Sequence, residues 1–196
     1  MQNEKSHEWW IVIATGPSLR CKDVQALRGV GLTVAINCAV FYAPWADFLF
    51  AADNAWWHTY GPMVAWYKGP RISKTCVAPG IERWHGKGWP RTGGNSGHMG
   101  VQVAVDKGAT HVAIYGFDQQ KTDGLAHCHA DHPKTMKGKR TNMGNAVGIA
   151  AWPRLMAATA VDLKRCGVRV VNLSRETALD CFERMSVEEF LEMARG

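Results

Sequence analysis

The densest group of reactive side chains in the sequence is the run His-Cys-His-Ala-Asp-His at residues 127–132. In an extended segment alternating side chains point to the same side, so His127 and His129 would face one way with His132 close by. An imidazole changes its charge near neutral pH and can accept a proton from a hydroxyl group, which makes each histidine a candidate general base. The same nitrogens, with a neighbouring carboxylate or thiolate, could bind zinc, although their spacing matches no standard closed zinc site. A solvated loop that is merely rich in histidine is the third interpretation.

Polar residues follow several apolar, strand-like segments at the point where each segment ends. The residues concerned are Gly16, Pro17 and Ser18 after the first segment, Asn37 at the end of the second, Asp53 and Asn54 after the third, and Asp118 after the fifth. Each alone is typical of a cap or a turn. In a parallel sheet the carboxyl ends of the strands lie along one rim, where ligands of open α/β sheets bind. Together these residues therefore predict one crevice for a polar small ligand.

Two short loops are candidates for holding a phosphate group. In the first, Gly16 lets a backbone approach a ligand closely, and Ser18 is a suitable N-cap for the helix that follows. In the second, Asn95, Ser96 and Gly97 precede a helix whose first amides favour an anion. The second loop lacks the Gly-Lys-Ser/Thr of a Walker A loop, and the first lacks the Gly-x-Gly-x-x-Gly fingerprint. An ordinary turn and a flexible helix N-terminus are the alternatives.

Strand-like and helix-like segments alternate along the chain. The patterns predict strands at Trp9–Ala14, Leu32–Asn37, Asp47–Ala52, Arg71–Val77, His111–Tyr115 and Val168–Leu173, and helices at Lys22–Arg28, Asn54–Tyr67, Gly97–Lys107, Ala146–Cys166 and Val187–Ala194. This alternation predicts a single α/β domain over residues 1–196, Rossmann-like, with a mostly parallel, doubly wound sheet and flanking helices. The irregular stretch at residues 118–145 is interpreted as a lid or active-site loop.

The composition limits the class of protein. Hydrophobic residues make up 46% and charged residues 20% of the chain, which is typical of a globular protein. A net charge of +6 favours anionic partners such as a nucleotide or a nucleic acid. The sequence has neither an apolar run of about 20 residues that would span a membrane nor a signal-peptide layout, so we expect a cytoplasmic protein.

Several motifs in order resemble one family of enzymes. They are Thr15–Leu19, Asn37 with Phe41 and Tyr42, Gly94–Gly97 before a helix, Gly108–Asp118, and Val171–Ser174. With these motifs the chain resembles the sialyltransferase-like glycosyltransferases of bacteria and the related phage and archaeal Gly-x-Gly-Pro-Ser-Leu proteins. The resemblance spans most of the chain, and Ser96-Gly97 together with Gly116-Phe117-Asp118 is its most specific part. Thr15 departs from the family, which usually has Gly, or Asn followed by Gly, at this place.

The resemblance implies a Rossmann-like domain that binds a CMP-activated sugar without a metal. It implies that a histidine after the Gly-x-Asp strand is the general base, so the role falls to His127, His129 or His132, of which we favour His129. The Gly-Pro-Ser turn, Asn37, Asn54 and Ser96-Gly97 would hold the nucleotide and the sugar. The resulting hypothesis is a glycosyltransferase with a CMP- or UDP-sugar donor and no cofactor. Its acceptor would be a glycan, a lipid head group or a nucleic acid, and a homo-oligomer is compatible with the sequence.

Three other functions compete with this hypothesis. Proteins similar to pterin pyrophosphokinases share the Gly-Pro-Ser signature and transfer diphosphate with Mg²⁺, which Asp53 and Asp118 would bind. A non-catalytic nucleotide-binding protein needs the same crevice without the base. The basic run after the histidines, from Lys134 to Arg140, would suit a protein that binds nucleic acid, although such a run is usually a solvated face.

Overall fold

A parallel sheet organises the chain. The computed structural model describes residues 9–91, 94–129 and 146–195. Within them, eight parallel strands form one sheet in the order β5-β4-β3-β2-β1-β6-β7-β8. The strands are β1 (Trp9–Ile13), β2 (Leu32–Ile36), β3 (Phe48–Phe50), β4 (Arg71–Ser73), β5 (Ile81–Arg83), β6 (His111–Tyr115), β7 (Arg169–Asn172) and β8 (Glu183–Arg184).

Helices cover both faces of this sheet. They are α1 (Cys21–Ala26), α2 (Asn54–Tyr60), α3 (Ser96–Asp106), α4 (Ala146–Arg165) and α5 (Val187–Arg195), with short 3₁₀ helices at Asn37–Phe41 and Pro62–Val64. Among the helices of the described ranges, none combines the length and the apolar character needed to cross a bilayer.

The side chains of β1 show why the sheet is covered twice. All five are buried, and successive residues enter different apolar layers. Ile11 packs in the layer that contains Trp56 of α2 and Phe190 of α5. Val12 packs in the opposite layer, with Met156 of α4 and the apolar side of α3. A strand that is apolar on both faces is typical of the centre of a parallel α/β sheet. The predicted doubly wound α/β fold is therefore confirmed.

The predicted strands are all present, and most are shorter than expected. His111–Tyr115 has the predicted bounds, whereas Asp47–Ala52 and Arg71–Val77 are reduced to the three-residue strands β3 and β4. Leu32–Asn37 ends at Ile36, because Asn37 turns into a left-handed backbone conformation with φ 52° and begins a 3₁₀ helix. Two strands, β5 and β8, were not predicted at all. They lie at the two edges of the sheet, and their exposed charged residues show no apolar pattern.

The helix predictions need one main correction. The segment Asn54–Tyr67 is not one helix, since α2 ends at Tyr60 and Pro62 starts a separate 3₁₀ turn. Proline lacks an N–H group and interrupts the helical hydrogen bonds there. Of the irregular stretch 118–145, residues 118–129 contain turns, bends and one bridge between Thr122 and Leu125. The remainder of that stretch lies outside the described residues.

The strand order places a ligand crevice at one point. From β1 the chain adds β2 to β5 on one side of the sheet, and from β6 it adds β7 and β8 on the other. The order therefore reverses between β1 and β6, whose carboxyl ends lead into Ala14-Thr15-Gly16 and Gly116-Phe117-Asp118. Ligands of open α/β sheets bind outside the carboxyl ends of the strands at such a switch point.

Candidate functional site

A cavity of about 160 Å³ lies at this switch point. It brings together segments that are far apart in the sequence. They are the turn after β1 (the first turn, residues 14–18), the loop before α3, the end of β6, the loop with His127 and His129 (the histidine loop, residues 126–129) and α4. The lining residues include nine of the predicted site residues, namely Gly16, Pro17, Asn37, Asp53, Asn95, Ser96, Gly97, Asp118 and His127. Ser18, Asn54 and His129 are described but do not line it, and His132 lies outside the described residues.

The turn after β1 is held against the end of β6. The Gly16 amide donates to the Gly116 carbonyl oxygen at 2.8 Å, and a Cβ atom at Gly16 would collide with that oxygen and with the Asp118 carboxylate. Ser18 donates to Asp118 twice, from its amide to Oδ2 at 2.8 Å and from its hydroxyl to Oδ1 at 2.9 Å. Only glycine at position 16 allows this close approach.

The amides of Gly16, Ser18, Leu19 and Arg20 in the first turn all donate to protein groups. The amides of Gly16 and Ser18 are used as described, and the Leu19 amide donates to the Gly16 carbonyl oxygen at 3.1 Å. The Arg20 amide donates to the Tyr115 hydroxyl at 3.0 Å, and Pro17 has no N–H group. The expectation that this turn holds a phosphate through its amides therefore needs correction, because its donors stabilise the junction between β1 and β6.

Asp118 fastens this junction from within. Its side chain is 1% exposed and also accepts a longer hydrogen bond from the Thr122 hydroxyl at 3.4 Å. Burial raises the pKa of the Asp118 carboxyl, while the two hydrogen bonds from Ser18 act in the opposite direction. Since both carboxylate oxygens accept hydrogen bonds from protein groups, the role of Asp118 in this structure is to position the turn.

The loop before α3 has the opposite character, because its donors remain available. Asn95 caps the helix, with Oδ1 accepting from the His98 amide at 3.0 Å, and its carbonyl oxygen accepts from the Met99 amide. The amides of Ser96 and Gly97 precede these bonds and have no intrahelical partner. The Asn95 Nδ2 group is buried and has no hydrogen-bond partner in the described part of the chain. With the positive end of the helix dipole, these N–H groups make this corner of the cavity suitable for an anion.

Asn37 and Asp53 add oxygen atoms at the ends of β2 and β3. The Oδ1 atom of Asn37 is buried without a hydrogen-bond partner among the described residues. Asn37 also has a left-handed φ of 52°, a conformation that few residues other than glycine adopt. Asp53 stands at the N-cap position of α2 without capping it, and its exposed side chain lines the cavity. Desolvation by the surrounding protein still raises the pKa of its carboxyl. Asn54 instead directs its amide to the Thr75 hydroxyl at 2.9 Å.

The histidine loop is attached to the first turn. The Cys128 amide donates to the Thr15 carbonyl oxygen at 3.0 Å, and the Thr15 hydroxyl lies 3.3 Å from Nδ1 of His127. The rings of His127 and His129 are parallel with centroids 5.0 Å apart, in keeping with the expectation that both face the same way. Of the two rings, that of His127 borders the cavity. Of the two candidate histidines, the structure thus brings His127 to the cavity lining and not His129.

Sequence reasoning missed several residues of the cavity. Gln119 and Gln120 follow Asp118 directly, and Gln119 has a left-handed φ of 53°. Their position just after a strand end is the same signal that pointed to Asp118. Ile149 and Trp152 belong to α4 and form an apolar wall that no local motif in the sequence marks.

The charged side chains that line the cavity affect which ligands it could bind. Among the described residues that line it, Asp53 and Asp118 are carboxylates and there is no lysine or arginine. In the described ranges, no group of three or more His, Cys, Asp or Glu residues could hold a metal ion. For the Mg²⁺ alternative, Asp53 has an accessible carboxylate, but the oxygens of Asp118 are already engaged by Ser18.

Comparisons of the chain with family models, with curated protein sequences and with solved structures give no match. The fold and the site together define an α/β protein with a Rossmann-like sheet and a ligand cavity at its topological switch point.

Proposed function

We propose that the protein is an enzyme, a glycosyltransferase that uses a nucleotide-activated sugar and resembles the sialyltransferase-like enzymes. The observation that carries the proposal is the shared cavity of the α3 N-terminus and His127. One group offers N–H donors to a phosphate, and the other offers a nitrogen that can accept a proton. Transfer of a sugar from a nucleotide needs both functions on opposite sides of the reacting carbon.

In this proposal the phosphate of the donor would bind over the start of α3. The amides of Ser96 and Gly97 and the side-chain Nδ2 of Asn95 would donate hydrogen bonds to its oxygens. Negative charge develops on the phosphate as its bond to the sugar breaks, and fixed donors stabilise this charge best when no water has to reorganise. The amides of Gly16 and Ser18 would not share this task, because they donate to the Gly116 carbonyl oxygen and to Asp118.

The nucleoside of the donor would contact the remaining residues of the cavity. Trp152 and Ile149 offer an apolar surface on which a base can stack. The unpaired Oδ1 of Asn37 would accept a hydrogen bond from an amino or hydroxyl group, and Asp53 would accept from sugar hydroxyls. The donor would be a CMP-sugar or a UDP-sugar, so the departing nucleotide would be CMP or UDP.

His127 would act as the general base. When its Nδ1–H donates to the Thr15 hydroxyl, the lone pair of the imidazole lies on Nε2. This nitrogen would take the proton from the acceptor hydroxyl while the acceptor oxygen bonds to the anomeric carbon of the sugar. The bond from that carbon to the phosphate oxygen breaks, and the nucleotide leaves with the electron pair. The proton then passes from the imidazolium to solvent or to the departing phosphate.

The net charge of the chain indicates which class of acceptor to expect. The chain carries a net charge of +6, which favours an acceptor that is itself anionic, such as a charged glycan, a lipid head group or a nucleic acid. A cytoplasmic location, within the host cell if the protein comes from a phage, fits a donor made in that compartment.

The experiment compares two neighbouring histidines. CMP- and UDP-sugars are incubated with and without added acceptors, and release of the nucleotide is measured for the wild type, His127→Asn and His129→Asn. Loss of a general base lowers kcat by about 10²-fold or more. We expect this loss for His127→Asn alone, with the KM for the donor nearly unchanged, while His129→Asn serves as the matched control.

Equal turnover by all three proteins would remove His127 from the reaction. Tight nucleotide binding without turnover of any donor would indicate a non-catalytic nucleotide-binding protein. Release of AMP from ATP that stops on addition of a chelator and returns with Mg²⁺, without turnover of either sugar donor, would favour the diphosphotransferase.

A further inference from the structure

Gln119 shares two features with Asn37 at the cavity. It is a residue other than glycine with a left-handed backbone, at φ 53°, and its side chain lines the cavity. A left-handed conformation costs free energy in such a residue and tends to persist where the surrounding structure requires a particular side-chain position. The backbone at Gln119 therefore holds its amide group at the cavity wall.

The partner of this amide is a histidine outside the proposed mechanism. His98 on the first turn of α3 is fully buried, and its Nε2 lies 3.4 Å from Oε1 of Gln119. Burial lowers the pKa of His98 to about 4, so the imidazole is neutral near pH 7. Its other nitrogen, Nδ1, is buried without a hydrogen-bond partner in the part of the chain that the structure describes.

These facts determine how the two side chains share their protons. A buried acceptor without a partner is tolerated better than a buried N–H donor without one. The neutral ring of His98 therefore carries its proton on Nε2 and donates it to Oε1 of Gln119. This hydrogen bond fixes which end of the amide faces His98, so the NH₂ group points to the other side, where it can donate to a ligand.

We propose that Gln119 is an anion-binding residue of the cavity and that His98 is a positioning residue, which fixes the Gln119 amide so that its NH₂ group donates to the phosphate of the ligand. This inference rests on the proposed function, because it assumes a phosphorylated ligand. It adds a neutral donor beside the N-terminus of α3, in a cavity whose described lining has no lysine or arginine.

The test measures the contribution of the phosphate to binding. Affinities for CMP, UMP and UDP, and for cytidine and uridine, are determined by calorimetry, and the ratio of nucleotide to nucleoside affinity is compared among variants. Gln119→Glu replaces the NH₂ group with an oxygen of nearly the same shape, so we expect the ratio to fall by about tenfold or more. Gln119→Ala should lower it less. Gln25→Glu, on the exposed face of α1, adds the same charge outside the cavity and is the control.

The role of His98 is separated from simple stability by a pair of variants. His98→Gln keeps a side-chain N–H that can reach Oε1 of Gln119, whereas His98→Phe keeps the volume and removes the donor. We expect the affinity ratio to stay near the wild-type value in His98→Gln and to fall in His98→Phe. Should His98→Phe fail to fold, His98→Leu, which also removes the donor, takes its place for the positioning role, and Gln119→Glu decides the anion-binding role of Gln119.

The outcomes distinguish this inference from the function on which it rests. If the wild type binds nucleotides more tightly than nucleosides and both Gln119 variants keep that preference, Gln119 is not an anion-binding residue although the cavity binds nucleotides. If the ratio falls equally in both His98 variants, the positioning role is refuted. If the wild type binds none of CMP, UMP and UDP, the proposed function fails, and the inference fails with it.

Discussion

The buried imidazole of His98 gives the protein a stability that depends on pH. In the folded state burial lowers the pKa of His98 to about 4, against a value near 6.5 for an exposed histidine. Below about pH 6.5 the unfolded chain binds a proton at this residue that the folded protein excludes. Acidification therefore stabilises the unfolded state, and the loss of stability continues until the pH reaches the folded pKa.

The size of this effect follows from the two pKa values. Protonation of His98 in the unfolded chain alone is worth about 2 kcal/mol at pH 5 and about 3 kcal/mol at pH 4. For a protein of this length, about 2 kcal/mol corresponds to a decrease in Tm of about 4–8 °C. The carboxyls of Asp53 and Asp118 act in the opposite direction, because their raised pKa values let the folded state bind protons more readily. The wild-type curve alone therefore does not isolate His98.

The assay compares the wild type with His98→Gln by urea unfolding between pH 7.5 and pH 5. The glutamine cannot take up a proton, so the advantage of the wild type over the variant should shrink by about 2 kcal/mol across this range. His58→Gln, at an exposed position of α2, is the control and should follow the wild type. A difference between wild type and His98→Gln that stays constant within about 0.5 kcal/mol would refute the reasoning, which requires a buried neutral imidazole.

Three further predictions concern the cavity and its supports. Gly16→Ala should unfold at lower urea concentration than Gly29→Ala, since a Cβ atom collides with Asp118 at the first position and meets nothing within 4 Å at the second. The left-handed φ of 76° strains an alanine at Gly29 as well, so a further decrease for Gly16→Ala measures the collision; equal midpoints would contradict the close contact. Trp152→Ala should weaken nucleotide binding by about tenfold through loss of stacking, whereas Leu155→Ala, exposed on the same helix, should leave the Kd unchanged. Arg91→Met should lower the Tm, and the loss should diminish as acid protonates Asp162, because the Arg91 guanidinium lowers the pKa of that buried carboxyl; a loss independent of pH would argue against this ion pair.

The centre of the fold could be predicted from sequence because burial leaves a local signal. β1 and β6 are apolar on both faces, so they appear as uninterrupted apolar segments. The edge strands β5 and β8 carry exposed charged residues and owe their conformation to pairing with β4 and β7. The amino-acid composition of these short segments therefore does not predict that they are strands.

The site was predictable to a similar depth. The rule that polar residues follow strand ends identified Asn37, Asp53 and Asp118, because it depends on topology alone. It did not show that the amide and the hydroxyl of Ser18 both donate to Asp118, a residue 100 positions away. It also did not show that Trp152 reaches the cavity from α4. These relationships depend on tertiary packing, which a single sequence does not display.

The choice among the histidines illustrates the same limit. Alternation predicted that His127 and His129 share a side, and their rings are parallel. The hydrogen bond from Cys128 to Thr15 anchors the loop, and of the two rings only that of His127 borders the cavity. This contact between residues far apart in the sequence accompanies the position of His127 at the cavity, which the spacing of the histidines alone does not show.

The proposed function requires a nucleotide phosphate to bind at the start of α3 rather than over the first turn. A crystal structure of the protein soaked with CMP or UDP tests this requirement. We expect the phosphate oxygens within hydrogen-bonding distance of the Ser96 and Gly97 amides, with the imidazole of His127 facing the same cavity. A phosphate seated on Pro17 and Ser18, or a nucleotide bound elsewhere on the surface, would contradict it.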